Sequence, residues 1–482
     1  MILNGTDISA LLPLLLIAGA SIVVMVVTAI RRNHRVAVLL TLLGLALAFA
    51  SVWQILPLAP RQVGPLLIID GYALFYIGLI TAAAFAVVVL SYGYFERQTE
   101  HREEVYILLL VAVLGSVVLV ASNHFVSFFL GLEILSIALY SLNAYLRDRV
   151  LPLEAGIKYL VLAAASAGFL LFGMALIYAE LGTMEFSRIE TLISAGDVNR
   201  PLLLVGMVLM ITGFGFKLAL VPFHLWTPDI YEGAPAPVTA FVATVSKGAM
   251  FALLLRYFYT VSLRDFQSLF LVLAIIAIAS MVAGNVLALL QNNVKRILAY
   301  SSIAHMGYVL VAFLAAGVMG AQAVSFYLVA YFITTIGAFG VITVLSPRDR
   351  DADHLDDYRG LFWKRPAVGA LFTLMLLSLA GIPVTGGFFG KFYIVAAGAS
   401  SAMWGLIISL VLTSVVGVFY YLRVVVAIYS PPADTTESLP ALHVPASSAI
   451  VLGALGVLLV WLGVYPAQFL QLVDSAVSHI GR

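Results

Sequence analysis

GFGFKLALVPFHLWTPDIYEGAPAPV (213–238) is the stretch whose reading decides the fold. Lys217 stands there in an apolar run long enough to cross a membrane as a helix, and Pro222 follows five residues later. Proline cannot donate to the carbonyl four residues before it, and Pro228, Pro235 and Pro237 come after, so a helix here is expected to kink or unwind beside Lys217. A second stretch, LAGIPVTGGFFGKFYI (379–394), carries Pro383, Gly386, Gly387 and Gly390 just ahead of Lys391. Paired interruptions in two halves of a hydrophobic chain point to an inverted-repeat transporter with its site near the midplane.

Outward from these two stretches the chain is apolar nearly throughout. Its 482 residues are 63% hydrophobic and 10% charged, with a mean hydropathy of +1.09. That composition is that of an all-α polytopic membrane protein. About 14 runs suffice to cross ~30 Å of hydrocarbon as helices. They cover 9–30, 36–57, 70–92, 105–121, 123–146, 153–180, 201–229, 234–260, 267–291, 295–317, 322–346, 364–399, 402–429 and 446–472. Solid runs without alternation exclude a barrel. The two breaks fall in spans 7 and 12, five spans apart. Five is odd, so spans 4–8 and 9–13 read as two inverted five-helix repeats, each with a broken helix. The expected organisation is three N-terminal helices (1–104), a first repeat (105–263), a second repeat (264–430) and a C-terminal helix (431–482).

Basic residues orient this arrangement. If the first helix runs inward, 14 of the 25 Lys and Arg fall on the inner side, among them Arg31, Arg32, Arg35, Lys295 and Arg296. Only Arg61, Arg188, Arg200, Arg256, Arg264 and Arg482 fall outside, which puts both termini outside the cytoplasm. The cluster RRNHR (31–35) follows the first apolar run instead of preceding it, so that helix is expected to stay in the mature chain. A net charge of +1 without a basic, aromatic-interleaved strip argues against nucleic acid. The lack of cysteine excludes thiolate-bound zinc and iron–sulfur clusters in this chain, and no metal site is expected.

Function should lie where ionisable residues sit in apolar helices. Each central lysine costs roughly 2.5 to 3.5 kcal/mol unless it finds a polar partner, so Lys158, Lys217, Lys247 and Lys391 must face one another, water or other polar groups. Glu133, inside span 5, is expected to pair with Lys217, so that charge arriving nearby alters the pair and drives the proton onward. Lys247 lies about 13 residues, or roughly 20 Å, into span 8, too deep to reach a surface. Lys391 is expected to relay the proton towards the outer exit. Lys158, nearer a span end, either joins the relay or reaches the inner headgroups. His224 and His305 are further candidates, since a neutral imidazole passes protons, but each fits a satisfied core histidine equally well. Hydroxyls of Thr239, Ser246, Tyr300, Ser301, Ser302 and Tyr308 can hold water chains. The loop 347–366 mixes both charge signs, which suits a solvated loop or a docking point.

HLWTPDIYEGAPAPV (224–238), KRILAYSSIAHMGY (295–308), YRGLFWKRP (358–366) and LSLAGIPVTGGFFGKFY (377–393) closely resemble the subunit N family of bacterial NADH-quinone oxidoreductase, respiratory complex I, over essentially the whole chain. The resemblance implies an antiporter-like fold with 14 helices. It further implies that Glu133 pairs with Lys217, that Lys247 is the central carrier, that Lys391 lies near the exit, and that Lys158 matches another family lysine. By the same resemblance the complex passes electrons from NADH through FMN and iron–sulfur clusters to a quinone, such as ubiquinone, and pumps protons outward. Its partners would be neighbouring antiporter-like and small membrane subunits. No dinucleotide fingerprint, phosphate loop or cysteine ligand is present in this sequence, so those cofactors would reside in other subunits. Two alternatives stand beside this reading: a subunit of a Mrp-type sodium/proton antiporter, and a membrane spacer whose ion pairs only fix helix packing.

Overall fold

The computed structural model describes residues 4–98, 101–196, 198–261, 266–431, 444–478 and 480, and these are almost wholly helical. Arg264 and Arg482, two of the basic residues assigned to the outer side, lie outside the described residues. A short α1 (Gly5–Ala10) leads into α2 (Leu12–Ile30) and α3 (His34–Ile55). A small antiparallel hairpin, β1 (Arg61–Val63) and β2 (Leu67–Ile69), precedes α4 (Gly71–Gln98). Next come α5 (Glu104–Val120), α6 (Phe125–Asn143), α7 (Val150–Leu181), the short α8 (Phe186–Ala195), α9 (Arg200–Leu218), α10 (Trp226–Gly233), α11 (Ala236–Phe241) and α12 (Lys247–Thr260). The remainder is α13 (Gln267–Leu289), α14 (Val294–Ala315), α15 (Gly317–Leu345), α16 (Leu361–Lys364), α17 (Pro366–Ala380), α18 (Gly386–Ser400), α19 (Trp404–Tyr429), α20 (Ala446–Val464) and α21 (Pro466–Val477).

Twelve of the helical segments are long and apolar enough to cross a membrane, and α5 and α17 are shorter apolar helices. They fall on the stretches the sequence marks out. Turns between them are short because side chains cap the helix starts: Asn33, His124, Asn199 and Asn293 each accept an amide of the following turn. Small residues let neighbours close up. A Cβ on Gly115 would meet the Gly131 carbonyl oxygen at 2.8 Å, and one on Gly206 would meet that of Gly173 at 3.0 Å, so α5 crosses α6, and α7 crosses α9, with backbones in contact.

Contacts between loops alternate between two ends of the bundle. One end joins Asp7 to Arg61 at 2.7 Å, the Ile68 amide to the Ala121 carbonyl, and the ring of Phe75 to that of Phe469 in α21. The opposite end joins Arg32 to Glu104 at 2.7 Å, Lys295 to Asp351 at 2.6 Å and the Trp363 indole to the Tyr429 carbonyl at 3.0 Å. The continuous segment α11–α12, with α14 and α15, is buried almost along its whole length and forms the core. Large apolar side chains of α2, α3, α7 and α19 remain exposed, as lipid or a neighbouring subunit requires.

The sequence carries no prediction for the hairpin β1–β2, because a three-residue strand has too little pattern to register. The segment 347–366 is solvated only in part: Arg348, Asp349, Arg359 and Lys364 are exposed, whereas Asp351 and Tyr358 are buried, Arg350 pairs with Asp357, and the Gly360 amide donates to the Ala427 carbonyl. The Asp351–Lys295 pair and the Gly360–Ala427 bond tie it to the bundle.

Candidate functional site

Both breaks occur where proline and glycine place them. In the first, α9 stops at Leu218, Ala219 turns left-handed (φ 62°), and residues 219–225, including a cis Val221–Pro222 bond, connect to α10. The freed backbone groups find partners: the Val221 amide donates to Ser280 Oγ at 2.9 Å, and Trp226 Nε1 donates to the Phe216 carbonyl at 2.9 Å. Lys217, in the last turn of α9, is buried and donates to Ser136 Oγ (2.8 Å) and to Tyr159 OH (3.0 Å).

The expected direct pair of Lys217 with Glu133 is not formed among the described residues. Ser136, one turn beyond Glu133 on α6, takes the ammonium instead, and Glu133 Oε1 is buried without a protein partner. The two groups nevertheless line one small cavity with Ser136 and Ser166, which leaves ≈ 10 Å³ for the centre of a water molecule. That is about the room one water needs, and a carboxylate, an ammonium and two hydroxyls supply its bonds. The two groups therefore share a cavity and not a direct contact.

Lys247 begins α12 immediately after a π-helical turn, Val242–Ser246, a local irregularity that often marks a functional position. Its side chain is wholly buried, donates to Ser302 Oγ at 2.8 Å and stands 5.4 Å from the centre of the Tyr231 ring. Ser302 Oγ also takes Tyr331 OH at 2.7 Å and lies 3.3 Å from Tyr231 OH. On the same helix, Ser301 bonds Tyr421 OH, which lies 3.1 Å from His305 Nε2, while Tyr327 OH lies 2.7 Å from His305 Nδ1. His305 thus joins the cluster around Lys247 to the second break.

In that second break, α17 ends at Ala380, Gly381 turns left-handed (φ 85°), and Pro383 lies in the link to α18. Gly386 starts α18, and the Gly387 amide donates to Ser378 Oγ at 3.2 Å. Lys391 reaches back to the end of α17, donating to the carbonyls of Leu379 and Ala380 (both 2.9 Å) and to Ser414 Oγ (2.8 Å). A cation at a helix C-terminus is where the backbone dipole favours it. A Cβ on Gly381 would come within 2.8 Å of Lys391 Cδ, so the residue that ends the helix also makes room for the lysine. The ammonium is 5.3 Å from the Tyr308 ring centre, and that ring is 5.4 Å from the His305 ring.

Lys158 and His224 stand apart from this string. Lys158 is half-exposed on α7 and pairs with Glu154 (2.6 Å) and Asp229 (2.8 Å). Asp229 also holds Arg296, which holds Glu232. Lys158 therefore answers the membrane penalty through a five-membered ion network and not by reaching headgroups alone. His224 lies buried in the first break and forms no hydrogen bond with any of the four lysines among the described residues.

Two buried ion pairs were missed in the sequence. Arg256, counted as an outer-loop residue, lies inside α12 and makes a bidentate pair with Asp70 at 2.8 Å and 2.8 Å. Lys295, counted as an inner-loop residue, is fully buried against Asp351. The available signal was an arginine within FALLLRYF (251–258). Among the described residues no cluster of His, Asp and Glu is arranged to hold a metal ion. The arrangement instead offers protonable amines linked by hydroxyl, phenol and imidazole groups, each of which both accepts and donates a hydrogen bond.

A family described as NADH:quinone oxidoreductase/Mrp antiporter, TM, matches residues 122–417. The chain is 51% identical to NADH-quinone oxidoreductase subunit N of Nitrosospira multiformis, covering 98% of this chain and 96% of that one. It is 48% identical to the protein of the same name from Ectopseudomonas mendocina, covering 97% and 96%. Among solved structures, a chain of respiratory complex I from Thermus thermophilus with bound aureothin superposes with a TM-score of 0.83 at 35% identity, covering 96% of this chain and 99% of that one. A chain of the archaeal membrane-bound sulfane sulfur reductase gives 0.88 at 28%, covering 98% of each. A chain of the Mrp complex from a Dietzia species gives 0.86 at 20%, covering 98% and 97%, a likeness of fold alone.

Proposed function

The chain belongs to the NADH:quinone oxidoreductase/Mrp antiporter family of membrane subunits, on its subunit N branch, and we propose that within it Glu133, Lys217, Lys247 and Lys391 carry the protons. It is a proton-translocating, multi-pass membrane subunit of an NADH:quinone oxidoreductase, and it stands beside other membrane-arm subunits of that complex. In this proposal NADH, FMN, the iron–sulfur clusters and quinone all belong to other subunits, and this chain only moves protons. Residues 105–263 and 264–430 act as two inverted units, flanked by 1–104 and 431–482. Both termini face the periplasm across the bacterial inner membrane.

The observation that carries the relay is the sequence of contacts Lys247–Ser302, Ser301–Tyr421–His305 and His305–Tyr308–Lys391, with Lys217 and Glu133 lining one cavity at the other break. Three lysines in apolar helices, each held by neutral donors and acceptors and not by a bound carboxylate, are free to exchange a proton without breaking an ion pair. Charge at Glu133 sets the protonation of Lys217, Lys247 is the central carrier, His305 links it to Lys391, and Lys391 serves the outward exit. Lys158 contributes to the field at the inner end through its ion network, and His224 shapes the first break.

A Mrp-type sodium/proton antiporter would use the same lysines, but the curated relatives at about half identity are both oxidoreductase subunits. Mass spectrometry of the proteins that co-purify with the tagged chain from its native membrane tests the proposal. Flavin- and iron–sulfur-bearing partners are expected. A set of small membrane subunits without redox proteins, together with sodium-driven proton flux, would overturn it.

A further inference from the structure

At the end of the bundle opposite α1, a cavity of ≈ 380 Å³ is lined by Arg149, Glu232, Asp349, Asp351 and Asp353, among others. Asp351 lies at its floor, almost entirely buried, and pairs at 2.6 Å with Lys295, which is sealed from solvent. Tyr94 OH donates to the other carboxylate oxygen of Asp351 at 2.7 Å. Lys295 directs its two remaining donors to the carbonyls of Glu232 (2.8 Å) and Ala234 (2.7 Å). The ammonium therefore has a carboxylate from the cavity on one side and the core on the other. Burial holds the neighbouring Asp353 carboxyl above the usual carboxylate range.

Lys295 also has a fixed relation to the central lysine. It precedes Ser302 by seven residues on α14, which is two turns on one face and about 10.5 Å along the axis. Ser302 is the acceptor of the Lys247 ammonium. Hydroxyls stand at both ends of that interval: Tyr231 OH lies 3.3 Å from Ser302 Oγ, and Thr239 Oγ1 shares the Ala234 carbonyl with Lys295, at 3.4 Å.

We propose that Lys295 is the intake group for the proton that reaches Lys247, and that Asp351 loads it from the cavity. The proposal rests on the reading of this chain as a proton-translocating subunit. The Lys295 ammonium gives one proton towards Lys247 through the Thr239 and Tyr231 hydroxyls, with water closing the interval between them. Asp351, its carboxylate left without its cation, takes up a proton delivered through water in the cavity and passes it to the Lys295 amine, which restores the ion pair. No electron moves and each group returns to its starting charge.

A purely structural role predicts something different. Lys295 caps the last carbonyls of α10, and any cation with suitable donors would do that. Arginine keeps the charge and the donors but does not give up its proton. In the assembled complex in native membranes, Lys295→Arg is expected to lower the rate of NADH-driven proton translocation at least tenfold, and Asp351→Asn several-fold. Should Lys295→Arg prevent assembly, Asp351→Asn decides alone. Wild-type translocation in the assembled variants would overturn the proposal. Lys247→Ala is measured alongside: normal pumping in that variant would overturn the relay itself, whereas its loss with intact pumping in the other two would overturn only the intake role.

Discussion

Lys247 and Ser302 meet at 2.8 Å across the contact of α12 with α14, and Ser302 is also the acceptor of Tyr331 OH. One hydroxyl thus fixes the central lysine and ties it to the chain of groups that leads to His305. Ser302→Ala removes the acceptor of a buried ammonium, a loss of about 1.5–3 kcal/mol for a charge-assisted bond. Expressed in the barrier to proton transfer, that is tenfold or more. NADH-driven acidification by vesicles containing the assembled variant should fall accordingly, and Ser302→Thr, which keeps the hydroxyl, should restore most of it.

Glu133 reaches Lys217 only across a one-water cavity, so its charge and not a contact must carry the coupling. Glu133→Gln keeps the shape and removes the charge. Proton translocation per NADH should drop while NADH oxidation by an artificial acceptor that bypasses quinone is unchanged. Full translocation would remove the switching role of this residue.

Gly381 serves the second break twice, through its left-handed φ and by making room for Lys391. Gly381→Ala should therefore lower stability by more than the ~1–2 kcal/mol of a left-handed alanine, and should impair pumping as well. Gly317 is also left-handed (φ 68°) but faces open space, so Gly317→Ala should show only the stability loss. Thermal unfolding of the purified complexes, read beside acidification, separates the two.

The Asp70–Arg256 pair is fully buried, with Arg256 Cζ 5.0 Å from the Tyr72 ring centre. Breaking one side leaves an uncompensated buried charge, so Arg256→Leu should destabilise by about 3–5 kcal/mol and reduce the amount of assembled complex. Asp70→Asn with Arg256→Leu together should recover much of it. Quantifying the subunit in membranes of the wild type and the two variants checks this.

Much of the site could be read from residue order. The proline and glycine runs 213–238 and 379–394 locate both breaks, because a missing amide donor or a missing Cβ acts wherever the residue stands. Lys217, Lys247 and Lys391 announce themselves because an ammonium in an apolar helix demands a partner. The partner itself is another matter. Composition suggested Glu133 for Lys217, yet Ser136 and Tyr159 hold the ammonium, since one helical turn on α6 decides which side chain points at it. Lys295 and Arg256 look like ordinary loop or end residues in sequence, and only the approach of Asp351 and Asp70, 56 and 186 positions away, turns them into buried pairs.

By itself, then, the sequence determined a helical membrane protein, the two interruptions and the lysines set in apolar helices, because hydropathy, proline chemistry and the penalty on buried charge are local. Tertiary structure alone decided that Lys247 rests on Ser302, that His305 joins it to the second break, that a π-turn precedes it, and that residues 347–366 close the opposite end over Lys295. Those are relations between helices distant in the chain. They follow from the packing that brings α10, α12, α14 and α15 together, which no stretch of sequence encodes alone.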